Sequence, residues 1–293
     1  MTPVEAWFLA IRPKTLPAAV APVLLGTAVA QHCGGVAMGP AAAALLGALL
    51  LQIASNLAND LFDSERGADR PDRVGPTRVV SSGLITAADI KVGLGVVFFM
   101  ALCVGAYLAG TAGPVIAIIG LAAAASAILY TAGPFPLAYH GLGELFVFVF
   151  FGPVAVAGTV FVQLQAWPEM AWIAGISQGA LAVNILVVNN LRDRVQDERA
   201  GKRTLAVRFG EGFCVAQYAT FLAVAYVMPV VLWLSTEARW FVLAPLATLP
   251  VALIVFGRVR RTRGTGLNEL LARTAQIMLL FGIAFAAGLV ASS

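Results

Sequence analysis

Charge is what this chain has least of. Only 12% of its 293 residues are Asp, Glu, Lys or Arg, against 60% that are hydrophobic. A soluble domain of this length could not bury so much apolar surface in one core, and a mean hydropathy of +0.87 with long apolar runs marks a membrane protein. Cysteine is nearly absent: Cys33, Cys103 and Cys214 lie far apart, in or beside apolar runs and in no pairing motif. They read as small buried hydrophobes, which excludes a disulfide framework. The opening MTPVEAWFLAIRPKTLP has no basic stretch ahead of an apolar one and no small-residue cleavage site after one, so no removable signal peptide is expected. Trp7 and Phe8 suit anchors at a membrane interface. The net charge of +4 fits an anionic leaflet or an anionic substrate and gives no reason to invoke nucleic acid.

What is abundant is helix-length apolar sequence. At about 20 residues per crossing, spans are expected near 15–31, 40–58, 91–110, 113–130, 142–162, 170–190, 213–234, 239–256 and 270–290. Small residues crowd these runs, 29 glycines in the chain among them, and allow close helix approach in lipid. With nine spans and a cytoplasmic N-terminus, eighteen of the nineteen basic residues fall on the inner side and only Arg239 outside. That asymmetry is what cytoplasmic loops produce. The expected architecture is all-α, polytopic, with the N-terminus inside and the C-terminus outside.

The acids are as uneven as the bases. Of 15 Asp and Glu residues, five sit between Asp60 and Asp72 and three between Asp193 and Glu198, each group following an apolar span on the same side. The two stretches echo one another: Asn56 precedes Asp60 by four residues, Asn189 precedes Asp193 by four, and Asp63 or Asp197 follows. Such spacings place Asn56, Asp60 and Asp63 on one helix face and Asn189, Asp193 and Asp197 on another. A single charge run in a membrane protein is ordinarily a solvated loop; two runs with matching spacing, each starting inside the end of a span, are not. Carboxylates gathered this closely repel unless cations lie between them, and oxygen ligands without Cys or His suit Mg2+, which binds through a few carboxylates and substrate phosphates. Arg73, Arg78, Lys202 and Arg203 stand nearby to meet phosphate oxygens. A metal-bridged diphosphate is the ligand this pattern calls for.

The segments NLANDLFDSERGADRPDRVGPTR and NNLRDRVQDERAGKRTLAVRFG closely resemble the two Asp-rich motifs of the UbiA superfamily of intramembrane aromatic prenyltransferases. The stretches RPKTLPAAVAPVLLGTA, QIASNLANDLFD and YTAGPFPLAYHGLGELFVFVFFGP are most similar to the branch that prenylates 1,4-dihydroxy-2-naphthoate in the menaquinone pathway. The resemblance runs from about residue 7 to residue 288, which makes residues 1–293 one domain. It implies nine helices around a central cavity under a cytoplasmic cap. It also implies that Asp60, Asp63, Asp193 and Asp197 hold Mg2+, and that Asn56, Asn59 and Asn189 join them at a polyprenyl diphosphate. Arg73, Arg78, Lys202 and Arg203 would complete the diphosphate contacts. Two departures stand out. Gly67 occupies the place of a third motif Asp, with Asp69 and Asp72 both open as replacements. Tyr130 is followed four residues on by Pro134, where many relatives have lysine.

The chemistry so implied is ionisation of an allylic C–O bond as Mg2+ neutralises the departing diphosphate, then attack by an electron-rich ring. Tyr130, Tyr139, Phe146 and Phe150 are candidates to shelter an allylic cation. Arg12 and Lys14, or His140 and Glu144, are candidates to hold the aromatic acid. 4-Hydroxybenzoate and homogentisate are the alternative acceptors. A secondary transporter would carry its ionisable residues near the midplane, and the central parts of these spans lack acids altogether. The Asp-Gly-x-x-Ala-Arg signature of the CDP-alcohol phosphotransferases is absent.

Overall fold

The computed structural model describes residues 2–67 and 74–293, and every regular element among them is helical. The chain opens with α1 (Pro3–Ile11), started by a capping box in which Thr2 and Glu5 satisfy each other's backbone amides. Arg12, at φ 55°, and the following Pro13 end it and turn the chain by 50° into α2 (Pro17–Cys33). Ala6 and Ala10 pack on Leu57, Ala58 and Leu61 of α3 (Met38–Glu65), so α1 lies against the end of the helix that carries the first acidic motif.

The remaining helices are α4 (Ala87–Ala112), α5 (Pro114–Leu129), α6 (Gly143–Phe151), α7 (Pro153–Leu164), α8 (Glu169–Arg199), α9 (Leu205–Ser235), α10 (Leu249–Val259) and α11 (Leu267–Ser292). Seven helical segments are long and apolar enough to cross a membrane, and the bent first pair makes up to eight, among the described residues. The apolar run expected at 113–130 is the short one: α5 has 16 residues, about 24 Å at 1.5 Å per residue, against a hydrocarbon core of about 30 Å. Even so, α5 joins opposite faces of the bundle. Beyond α3, the Arg66 guanidinium donates to the Gly133 carbonyl after α5. On the far face, Gln165 after α7 donates to the Thr111 carbonyl at the end of α4, 3.1 Å.

Two further differences from the expected spans have local causes. The run 142–162 is apolar throughout but splits into α6 and α7, because Gly152 takes φ −115° and ψ −107° and Pro153 follows. The joint packs on α8 so tightly that a Cβ at Gly152 would fall 2.6 Å from the Gly175 carbonyl oxygen and from the Gly179 Cα. The run 239–256 begins as a 3-10 helix over Trp240–Thr248, with Pro245 inside it, before α10 starts. At the centre stands α8, with 78% of its most apolar stretch buried by neighbours; in α4 that share is 6%, leaving it a lipid-facing helix.

Candidate active site

The ends of α3 and α8 meet on one face of the bundle. Gly201, at φ 73°, closes α8 and turns Lys202 back over the helix ends. Its ammonium stands 2.9 Å from Asp63 Oδ1 and 3.9 Å from Asp197 Oδ1, so one cation spans the two acidic motifs. The loop after α8 is strapped to the loop after α5: the Arg203 amide donates to the Tyr139 carbonyl, 2.9 Å, and Arg208 donates to the His140 carbonyl, 2.9 Å.

Asp63 gathers side chains from three separate segments. Besides Lys202 it accepts from Arg78, 3.2 Å, and from the Tyr139 hydroxyl, 2.9 Å. Tyr139 in turn faces two cations, with Lys202 4.8 Å and the Arg66 guanidinium 5.3 Å from its ring centre. Burial, and then the charge and hydrogen bond of Asp63, raise the Tyr139 phenol above its ordinary range and keep it a donor. Asp193, one turn below Asp197, takes Nε and Nη2 of Arg192 on its two oxygens, each at 2.7 Å. Arg192 also donates to Asn189, 2.8 Å, and to Asn268 of α11, 2.9 Å; Asn268 donates to the Val74 carbonyl and the Val74 amide donates to Gln196.

Asp60 is placed differently. Only 1% exposed, it receives the backbone amides of Val79 and Val80 at 3.2 and 3.0 Å, with Arg12 3.6 Å away. It thereby fixes the turn that presents Arg78. Asn56 likewise turns from the polar pocket: its amide donates to the Ile11 carbonyl, 2.9 Å, and to Thr15, 3.0 Å, tying α3 to the end of α1.

These groups roof two adjoining cavities. A polar one of about 260 Å³ is lined by Asp63, Asp193 and Asp197 together with Arg12, Lys14, Arg78, Arg192 and Lys202. Beneath it lies an apolar cavity of about 700 Å³, walled by helices α2 to α7, with Phe146 and Phe150 in its lining. The two share Gln52, Asn59, Tyr130, Val147 and Phe151, so the charged pocket opens directly onto the apolar one. The Thr131 hydroxyl donates to Asn59 at this junction, 3.0 Å. The Arg203 side chain is exposed and the His140 ring stacks on Phe135; neither lines either of these two cavities. Arg73, Asp69 and Asp72 lie outside the described residues. Spacing alone missed Asn190, Arg192 and Gln196. Asn190 stands three and seven residues before Asp193 and Asp197, a signal as regular as the one that pointed to Asn189.

The donor set is chemically suited to a hard divalent ion: carboxylate and amide oxygens, with no thiolate or imidazole among the described residues of the pocket wall. No three acidic, His or Cys side chains among the described residues converge into a complete metal cage. An ion held here would take the rest of its shell from phosphate and water, as Mg2+ does.

Fold and site together define a multi-pass membrane protein built to hold an anionic head group above a long apolar tail. The chain belongs to the UbiA prenyltransferase family, which it matches over residues 19–280. It is 41% identical over 284 residues to 1,4-dihydroxy-2-naphthoate octaprenyltransferase of Mycobacterium tuberculosis, covering 97% of this chain and 96% of that one. It is 35% identical over 295 residues to the protein of the same name from Escherichia coli, covering 97% and 95%. Among solved structures it is similar to a UbiA homolog from Archaeoglobus fulgidus bound to GPP and Mg2+, with a TM-score of 0.73 over 98% of this chain and 99% of that one. At 18% identity that likeness is one of fold.

Proposed function

We propose that this protein transfers a polyprenyl group from its diphosphate to 1,4-dihydroxy-2-naphthoate, releasing diphosphate and CO2 and giving demethylmenaquinol for menaquinone biosynthesis. The observation that carries this reading is the charged pocket, with acids from both motif helices and five cationic side chains, opening straight onto an apolar cavity. The names of the full-length relatives supply the acceptor.

In this reading Asp63, Asp193 and Asp197, with Asn59 at the junction, hold Mg2+ and the diphosphate, and Asp60 and Asn56 hold the frame around them. When bound, Mg2+ would supply positive charge to offset the negative charge developing on the departing diphosphate. Arg78 and Lys202 meet the remaining phosphate oxygens, and the turn anchored by Asp60 sets the place of Arg78. Asn189 sits with Arg192 at the second motif and Arg203 is an outer contact; Arg73 is kept as a diphosphate contact by its place in the first motif alone. Tyr139 keeps Lys202 and Asp63 in register. Tyr130, Phe146 and Phe150 screen the allylic carbon from water and turn ring faces toward developing positive charge. Arg12 and Lys14 receive the naphthoate carboxylate.

The chain is taken as one domain of nine crossings in the cell membrane, with the N-terminus and the site on the cytoplasmic side and the C-terminus outside. Two contacts support the odd number: Arg12 sits at the site, whereas Ser293 lies beside His32 at the other end of α2. The test is purified protein with Mg2+, a polyprenyl diphosphate and a panel of 1,4-dihydroxy-2-naphthoate, 4-hydroxybenzoate and homogentisate, read by mass spectrometry for prenylated product and CO2. Product from the naphthoate alone is expected; product from another acid, or from none, overturns the assignment.

A further inference from the structure

At the floor of the charged pocket two buried polar side chains are locked together. Asn190 on α8 and Glu144 in the first turn of α6 are each 7% exposed, and the Asn190 Nδ2 donates to Glu144 Oε1 at 3.0 Å. The orientation of the amide follows from its partner: a carboxylate oxygen accepts, so the NH2 end of Asn190 must face it. The carbonyl Oδ1 is the end left to the pocket that Asn190 lines. Asn190 precedes Asp193 by three residues on a helix that runs toward the site face, which sets it about 4.5 Å deeper in the bundle. That level lies between the charged roof and the apolar cavity, beside Tyr130, whose hydroxyl would lie 2.9 Å from a Cβ at Gly143.

Among the groups that the two substrates carry, an oxygen acceptor fixed at this level selects its ligand by elimination. A diphosphate offers only acceptor oxygens and a polyprenyl tail offers no polar group. A carboxylate would be repelled by Glu144 just behind. The remaining group is a ring hydroxyl of the aromatic acceptor. Resting on the transferase reading above, we infer that Asn190, its amide oriented by Glu144, accepts a hydrogen bond from a ring hydroxyl of the acceptor at the junction of the two cavities. The contact turns the ring edge toward the allylic carbon and leaves electron density on the hydroxyl oxygen, which activates the ring carbons ortho and para to it. Asn190 is thus an acceptor-binding residue and Glu144 a positioning residue.

The test pairs steady-state kinetics with a fluorescence titration of 1,4-dihydroxy-2-naphthoate in the absence of Mg2+ and prenyl donor. Asn190→Ala is expected to raise the KM and Kd for the naphthoate about tenfold, the range of one lost hydrogen bond, while the KM for polyprenyl diphosphate stays within about twofold. Glu144→Leu is expected to copy that pattern, and Glu144→Gln, which keeps an acceptor oxygen for Asn190, to restore it. Wild-type protein is expected to bind one of the two mono-O-methyl ethers of the naphthoate about tenfold more weakly, a preference that Asn190→Ala erases. An unchanged naphthoate Kd in Asn190→Ala overturns the inference, as does a shift in the Mg2+ or diphosphate dependence instead. Equal binding of the diol and both ethers by wild-type protein overturns it whether or not the variants fold. Failure of the transferase reading appears separately, as naphthoate binding without prenylated product.

Discussion

The two acidic helix ends look alike in sequence and differ in space. On α3, the first carboxylate of the motif, Asp60, is spent on the backbone amides of Val79 and Val80, and the second, Asp63, stands in the pocket. On α8 both carboxylates line the pocket: Asp193 is braced by Arg192, and Asp197 meets Lys202 only at 3.9 Å. The same spacing therefore serves two ends. One copy folds a neighbouring turn into place and gives one oxygen donor group to the site; the other gives two. An arginine next in sequence to Asp193 balances its charge from the same wall, and α8 places two acids in the pocket where α3 places one.

The sharpest way to break this comparison is to neutralise one pocket carboxylate from each helix. Asp63→Asn and Asp197→Asn are each expected to lower kcat/KM about a hundredfold or more, the scale of a lost electrostatic group at a site of charge development, with the protein still folded by circular dichroism in detergent. Comparable activity in either variant would dissolve the pairing of the two helix ends. Next in size is Asp60→Ala. It removes two charge-assisted hydrogen bonds from a buried turn, and a loss of about 2–4 kcal/mol is expected, read as a lower midpoint of thermal unfolding, with turnover reduced less than in Asp63→Asn. An Asp60→Ala protein as stable as wild type yet fully inactive would place Asp60 with the pocket acids instead. The smallest effect is expected in the apolar cavity. A Cβ at Gly158 meets no atom within 4 Å and the residue lines the cavity, so Gly158→Leu should fill space without strain. It is expected to cut kcat/KM for a long polyprenyl diphosphate roughly tenfold and to leave a short one nearly unchanged, as measured by competition between the two donors.

Much of this was legible in the residues. The two motif helices, their common face and the oxygen-only donor set follow from repeated Asn and Asp spacing and from where the lysines and arginines fall. The choice between Asn56 and Asn59, and between Asn189 and Asn190, was not legible, because residues three, four and seven apart share a helix face and the spacing alone cannot rank them. Asn56 lines the apolar cavity and is tied to the end of α1, and Asn190 joins the charged pocket. The role of Asp60 left no side-chain pattern to read, since its partners are backbone amides 19 and 20 residues away. The break at Gly152 was hidden for a different reason: the run around it is apolar on both sides, and only the close approach of α8 requires glycine there.

That joint has a consequence for how the molecule can vary. Gly152, Gly175 and Gly179 meet at one point, and a Cβ at any of them would fall within 2.7 Å of backbone on the opposing segment. Altering the position of the wall demands coordinated replacement on two separate stretches of chain, whereas Gly105, Gly120 and Gly158 along the same wall can each gain a side chain into open space. A descendant of this protein could thus retune the length of lipid it admits one substitution at a time, while the geometry of its scaffold stays beyond the reach of any single step.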